Sequence, residues 1–182
     1  MSTHDPGADE SGAVPVTAPP TGLFAQLTEE QILATPALLA GDATDLIAAL
    51  RAGADRRGLE VAVVEDGATS IPVGPHTARL GVLAIRRRGS TSPLARAFEL
   101  AARLDPLLAP SSVVIAVTVK GVTELAPDKL ERLLSREILH QVESAITPAT
   151  RRRPWRQFRL RAGLAALDAA GVRVLRIRGR RA

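Results

Sequence analysis

The spacing of apolar residues changes period along the chain, and each change marks an element. Residues 1–22, MSTHDPGADESGAVPVTAPPTG, combine proline, glycine and small polar residues without any period, which predicts a disordered tail ahead of one domain over 23–182. In LFAQLTEEQILATPALLAGD, Thr28 and Gln31 have capping-box spacing, a short helix follows, and Pro36 interrupts it; Leu23, Phe24 and Leu27 staple this segment to the core. GDATDLIAALRAGADRRGL predicts a second helix with Asp42 or Thr44 as N-cap, an apolar face of Leu46, Ile47 and Leu50, and Gly58 past its end.

The period then shortens. LEVAVVED (59–66) and ARLGVLAIRRRG (78–89) are the short, β-branched runs of buried strands, and TSIPV between them predicts a short edge strand, because Pro72 has no N–H for a central ladder. TSPLARAFELAARLDP returns to helical spacing, with Ser92 as N-cap, Pro93 in the first turn and a stripe of Leu94, Ala97, Phe98, Ala101 and Leu104. SSVVIAVTVKGV (111–122) is apolar for long enough to be covered on both faces. A strand, a helix and a strand at this spacing predict a right-handed βαβ crossover.

APDKLERLLSREILHQVESAI carries an amphipathic stripe of Leu130, Leu133, Leu134, Ile138, Val142 and Ala145. RRRPWRQFRLR then runs without a breaker into AGLAALDAAG, where Trp155, Phe158, Ala162, Ala165 and Ala169 recur at intervals of three and four and form an expected core face ending at Gly171. VRVLRIRG closes the chain as a strand, with a bulge expected where Val174 and Leu175 break alternation. The fold class is therefore α/β: a single compact domain, a mixed sheet with at least one βαβ crossover, and flanking helices.

Composition adds two constraints. Aromatic residues are 2% of the chain, so its core is aliphatic, and the absence of cysteine excludes disulfides and thiolate metal sites and fits a reducing compartment. No apolar run spans a bilayer and no signal peptide is legible at the start, which predicts a cytoplasmic protein without a membrane partner.

Charge changes the picture more. The net charge of +5 is segregated: residues 151–182 hold eleven arginines and one acid, Asp168, so this basic helix-strand end carries 11 − 1 = +10 and the first 150 residues carry 5 − 10 = −5. Such asymmetry points to an anionic partner, either nucleic acid or an acidic protein surface. Arg152, Arg156 and Arg159 recur at helical spacing, and Arg176, Arg178, Arg180 and Arg181 follow; a row of this kind tracks phosphates without reading sequence. The terminal RGR (178–180) resembles the minor-groove tripeptide of AT-hook proteins, with Arg181 standing where that motif has proline.

Catalytic chemistry is not legible. His4, His76 and His140 have no partner at metal-ligand spacing, although His76 lies in a loop of the kind that often carries active sites. Glu65 and Asp66 end a strand, where the turn EDG accounts for them, and no cofactor or metal is implied. The order helix, three strands, helix, strand, helix resembles the core of restriction-endonuclease-like nucleases, and LAALDAAGVRVLRI resembles the closing helix and strand of some short-patch-repair members. That likeness implies metal-binding acids on two strands, but Ala84-Ile85-Arg86 and Thr118-Val119-Lys120 stand at those places without them, so a fold of this kind would be catalytically dead. The expectation is a non-catalytic binding protein for nucleic acid; a protein-protein adaptor with an acidic partner stands second and a degenerate nuclease third.

Overall fold

The computed structural model describes residues 28–66, 68–146 and 154–179, with the backbone alone for 154–161. The expected tail and the staple residues Leu23, Phe24 and Leu27 lie outside the described residues. Helix α1 (Glu29–Leu33) opens with the capping box that its sequence predicts: Thr28 Oγ1 accepts from the Gln31 N–H at 3.2 Å and Gln31 Oε1 accepts from the Thr28 N–H at 2.9 Å. Pro36 ends this segment, but the next element is strand β1 (Ala37–Gly41), where the sequence reading expects no strand. Four apolar residues carry no readable period, and ALLA becomes a strand because parallel neighbours pair with it on both sides.

Helix α2 (Thr44–Asp55), strands β2 (Val61–Glu65), β3 (Ala68–Thr69) and β4 (Ala78–Arg86), helix α3 (Pro93–Leu104), strand β5 (Leu108–Val119), helices α4 (Pro127–Ile146) and α5 (Pro154–Ala169) and strand β6 (Val172–Arg178) complete the order. The six strands form one mixed sheet, β3-β2-β1-β4-β5-β6, in which β2, β1, β4 and β5 are parallel and the two outermost strands are antiparallel. Both β1-α2-β2 and β4-α3-β5 are crossovers between adjacent parallel strands. The expected edge strand TSIPV (69–73) does not form: the edge strand is Ala68–Thr69, sharing only Thr69 with it, and beyond it Ser70 caps the ladder by accepting from the Val63 N–H at 2.9 Å, while Ile71 and Val73 fold over the core. The order helix, three strands, helix, strand, helix is present as α2-β2-β3-β4-α3-β5-α4, but in the sheet β1 stands between β2 and β4.

Alternation along the strands divides the core in two. Leu39, Val82, Ile115, Val117 and Val174 face α2, α4 and α5, whereas Leu38, Leu83, Ile85, Val114 and Ala116 face α3. As expected, β4 and β5 are buried on both faces. Helix α3 has its expected Ser92 cap and first-turn proline, and it buries Ala97 and Leu104. Of its other stripe residues Ala101 is half-buried against the core, whereas Leu94 and Phe98 are 44% and 53% exposed, because no second described helix lies beside α3 on this face.

Two expectations about the C-terminal end are corrected. In the described half of α5 the inward line is Gly163, Ala166 and Leu167, continued by Ala170 in the turn after it, with Gly163 against Leu133 and Leu167 buried, while Ala162, Ala165 and Ala169 are exposed. An alanine-rich helix has so little hydrophobic contrast that its phase is set by the neighbours it meets. The side chains of Trp155 and Phe158 lie outside the described residues. In β6, Val172 and Val174 are buried and Arg173 and Leu175 exposed in strict alternation; the irregularity falls between Arg176 and Arg178 instead.

Helices α2 and α4 meet at Gly53, where a Cβ would stand 2.3 Å from Ser135 Oγ and 2.8 Å from Glu131 Oε1. The missing side chain admits a buried carboxylate, that of Glu131, which pairs with Arg56 at 2.7 Å and accepts from the Ser135 hydroxyl at 3.2 Å.

Candidate functional site

In open α/β sheets the crevice for ligands lies at the carboxyl ends of parallel strands, where the strand order reverses. Here that point falls between β1 and β4. Gly41 (φ +141°) lets the chain turn directly onto β4, so that the N–H groups of Asp42 and Ala43 both donate to the Ala84 carbonyl, at 2.9 and 3.2 Å. Asp42 does not cap α2 as its position suggests. Its Oδ1 accepts from the Arg86 N–H at 2.9 Å, leaving Ala43 at the N-cap without a side-chain bond. The second oxygen is buried and has no hydrogen bond; Arg96 and Arg88 approach it at 3.4 and 3.5 Å as ion pairs. The Arg86 guanidinium bridges the Asp45 carboxylate and the Gly121 carbonyl. The crevice is thus crossed by an Asp42–Arg86–Asp45 network, which the sequence reading missed. Its one signal is an acid pair directly after a strand with a run of three arginines, 86–88, ending another.

Two clefts flank the crossing. One, about 870 Å³, lies beside β1 and β2 under α3 and includes Asp42, Glu65, Asp66, Arg96 and Arg103. The other, about 650 Å³, opens between the start of α3 and the start of β6 and is bounded by Arg87, Leu94, Lys120, Arg173 and Leu175. His76 belongs to neither. It sits at the amino end of β4 with φ +53°, where its N–H donates to the Pro106 carbonyl and Nδ1 lies 3.3 Å from the Leu108 carbonyl, so its role there is to hold a turn.

Of the seven arginines singled out from sequence, two have described side chains. They point to opposite faces: Arg176 donates to the Gln141 carbonyl of α4, whereas Arg178 pairs with Asp105 at the end of α3. Arg152, Arg180 and Arg181 lie outside the described residues, and Arg156 and Arg159 are described as backbone in α5. Chain direction still relates these positions. Helix α4 leaves the carboxyl end of β5, α5 returns to it so that the Lys120 N–H meets the Gly171 carbonyl, and β6 runs away again past Gln141. The first turn of α5 and the last residues of β6 are therefore at the same end of the sheet, opposite the crossed crevice.

Midway along α4 a second carboxylate, Glu137, is buried: it is 3% exposed and accepts from the Gln141 side-chain amide at 2.8 Å. Burial raises its pKa above the ordinary 4.5, and the Gln141 hydrogen bond and the His140 charge offset this only in part. A carboxyl whose folded pKa is raised favours the fold most below its unfolded pKa, and that advantage is lost as pH rises through the folded value. Glu137→Gln should accordingly raise the melting temperature at pH 7 and leave it unchanged at pH 4. An equal gain at both values would contradict this assignment.

Among the described residues no helix is long and apolar enough to cross a membrane, and no three acidic or histidine side chains are grouped to hold a metal ion. No family model, curated protein or solved structure matches the chain.

Proposed function

We propose that the chain is a non-catalytic, cytoplasmic binding protein that holds nucleic acid without sequence preference through its arginine-rich C-terminal end. The observation that carries this reading is topological: the start of α5 and the end of β6, the two most arginine-rich stretches, are led to one end of the sheet. The contacts are assigned to Arg152, Arg156, Arg159, Arg180 and Arg181. Arg176 and Arg178 belong to the same set, each using part of its guanidinium on a bond within the fold. An acidic first 150 residues, at −5, stays clear of the polymer and orients the basic end toward it. The lack of cysteine suits the cytoplasm.

Salt titration against duplex DNA and single- and double-stranded RNA tests the reading. Affinity should fall steeply with salt, and Arg152→Gln, Arg156→Gln and Arg159→Gln together should lower the slope of log affinity against log salt by up to about 0.9 per lost duplex contact. Melting curves on the same samples separate a lost contact from a lost fold. If the wild-type protein binds none of these polymers at low salt, and the triple variant instead releases a bound protein, the partner is an acidic protein surface.

A further inference from the structure

The face of the sheet that carries α3 is only partly covered. Helix α3 lies over β4 and its neighbours, and β6 stands two strands from β4, about 9.6 Å at the usual strand spacing. Packed helices are separated by roughly 8–10 Å, so the space beside α3 and above β6 has the width of one further helix. No described element fills it. Its walls are apolar: Leu94 and Phe98, one turn apart on α3, and Leu175 on β6 are 44%, 53% and 45% exposed. These are three of the five large hydrophobic residues exposed among the described residues, gathered along one groove. At one end the Arg178–Asp105 pair ties β6 to α3 and closes the groove; at the other it opens into the cleft of about 650 Å³ bounded by Arg87, Lys120 and Arg173. Asp168 holds Arg173 at 3.2 Å, leaving the mouth with a surplus of positive charge. From Leu94 to Asp105 the groove runs about 17 Å, or three helical turns.

We infer that the groove between α3 and β6 seats one amphipathic helix of an acidic partner protein. The apolar stripe of that helix covers Leu94, Phe98 and Leu175, and its carboxylates meet Arg87, Lys120 and Arg173 at the mouth. Charge complementarity selects this occupant. A second copy pairing through the same edge would set VRVLRIR, with arginines at 173, 176 and 178, against its own arginines. A nucleic acid would match the mouth but leave the leucines and Phe98 without an apolar partner. The seat is separate from the basic end assigned to nucleic acid, since it opens at the opposite end of the sheet.

Two fluorescent probe helices of about 14 residues test the inference, with the same leucine stripe, one flanked by glutamate and the other by lysine. The full chain should bind the glutamate probe at least about tenfold more tightly than its lysine twin at low salt. Leu175→Thr and Arg173→Glu should each weaken that binding about tenfold, with little change in melting because both positions are exposed. Equal affinity for the two probes, or no effect of Leu175→Thr, overturns the proposal. It is equally overturned if sedimentation finds a dimer that Leu175→Thr disperses, which makes the occupant a second copy. Binding that appears only after removal of residues 1–27 assigns the groove to the chain's own start, and duplex DNA binding lost in Leu175→Thr assigns it to nucleic acid.

Discussion

Gly41→Ala should leave the chain unable to fold. A Cβ at this position would stand 1.8 Å from the Ala84 carbonyl oxygen and 2.9 Å from the Ala84 nitrogen, both backbone atoms of the central strand β4. Neither can move far. The same carbonyl accepts from the Asp42 and Ala43 N–H groups, and β4 is held by β1 on one side and β5 on the other. The backbone at Gly41 also has φ +141°, a conformation that side chains disfavour whatever the space around them. Relief would have to come from parting β1 from β4, which opens both halves of the core at once. The expected loss exceeds about 4 kcal/mol, a range reserved for such mechanisms and comparable with the whole stability of many domains. Far-ultraviolet circular dichroism of the variant should show a largely unfolded chain at 25 °C. A cooperative melt within a few degrees of the wild type would mean that the β1–β4 approach is looser than described.

That site also marks where sequence reasoning stops. Strands β2, β4 and β5, and helices α2, α3 and α4, are legible because each has a run long enough to show a period, and the caps at Thr28 and Ser92 rest on bonds within three residues. Strand β1 is not, since four apolar residues can belong to either a helix or a strand until neighbours pair with them. Helix α5 is legible as a helix, but its inward side over the described half is not, because alanine and glycine give no contrast between its faces. The Asp42–Arg86–Asp45 network depends on residues 41 and 44 positions apart in sequence, brought together only by β1 lying beside β4. Charge segregation can be read directly, yet where it leads depends on chain direction through α4, α5 and β6. Arg176 and Arg178, expected from sequence to meet phosphate, also have partners within the fold, from α4 and the end of α3.

The same network supports a second large effect. Arg86→Ala removes the guanidinium that joins Asp45 to the Gly121 carbonyl and so fastens the start of α2 to the loop after β5. The Asp45 side chain is 30% exposed and its other oxygen is buried without a hydrogen bond, so water replaces the lost partner poorly. Breaking a largely buried pair in this way costs roughly 3 kcal/mol, mostly from the carboxylate left behind. Arg86→Lys should recover only part of this, since an ammonium lacks the planar fork that reaches two acceptors at once. Asp42 sharpens the comparison: it takes the backbone N–H of residue 86 and keeps that bond in every variant. Asp45→Ala in the Arg86→Ala background should therefore restore stability, because it removes the stranded charge. Urea melts of the two single variants and the double variant measure the coupling, and simple additivity would show that Arg86 and Asp45 do not act as a pair.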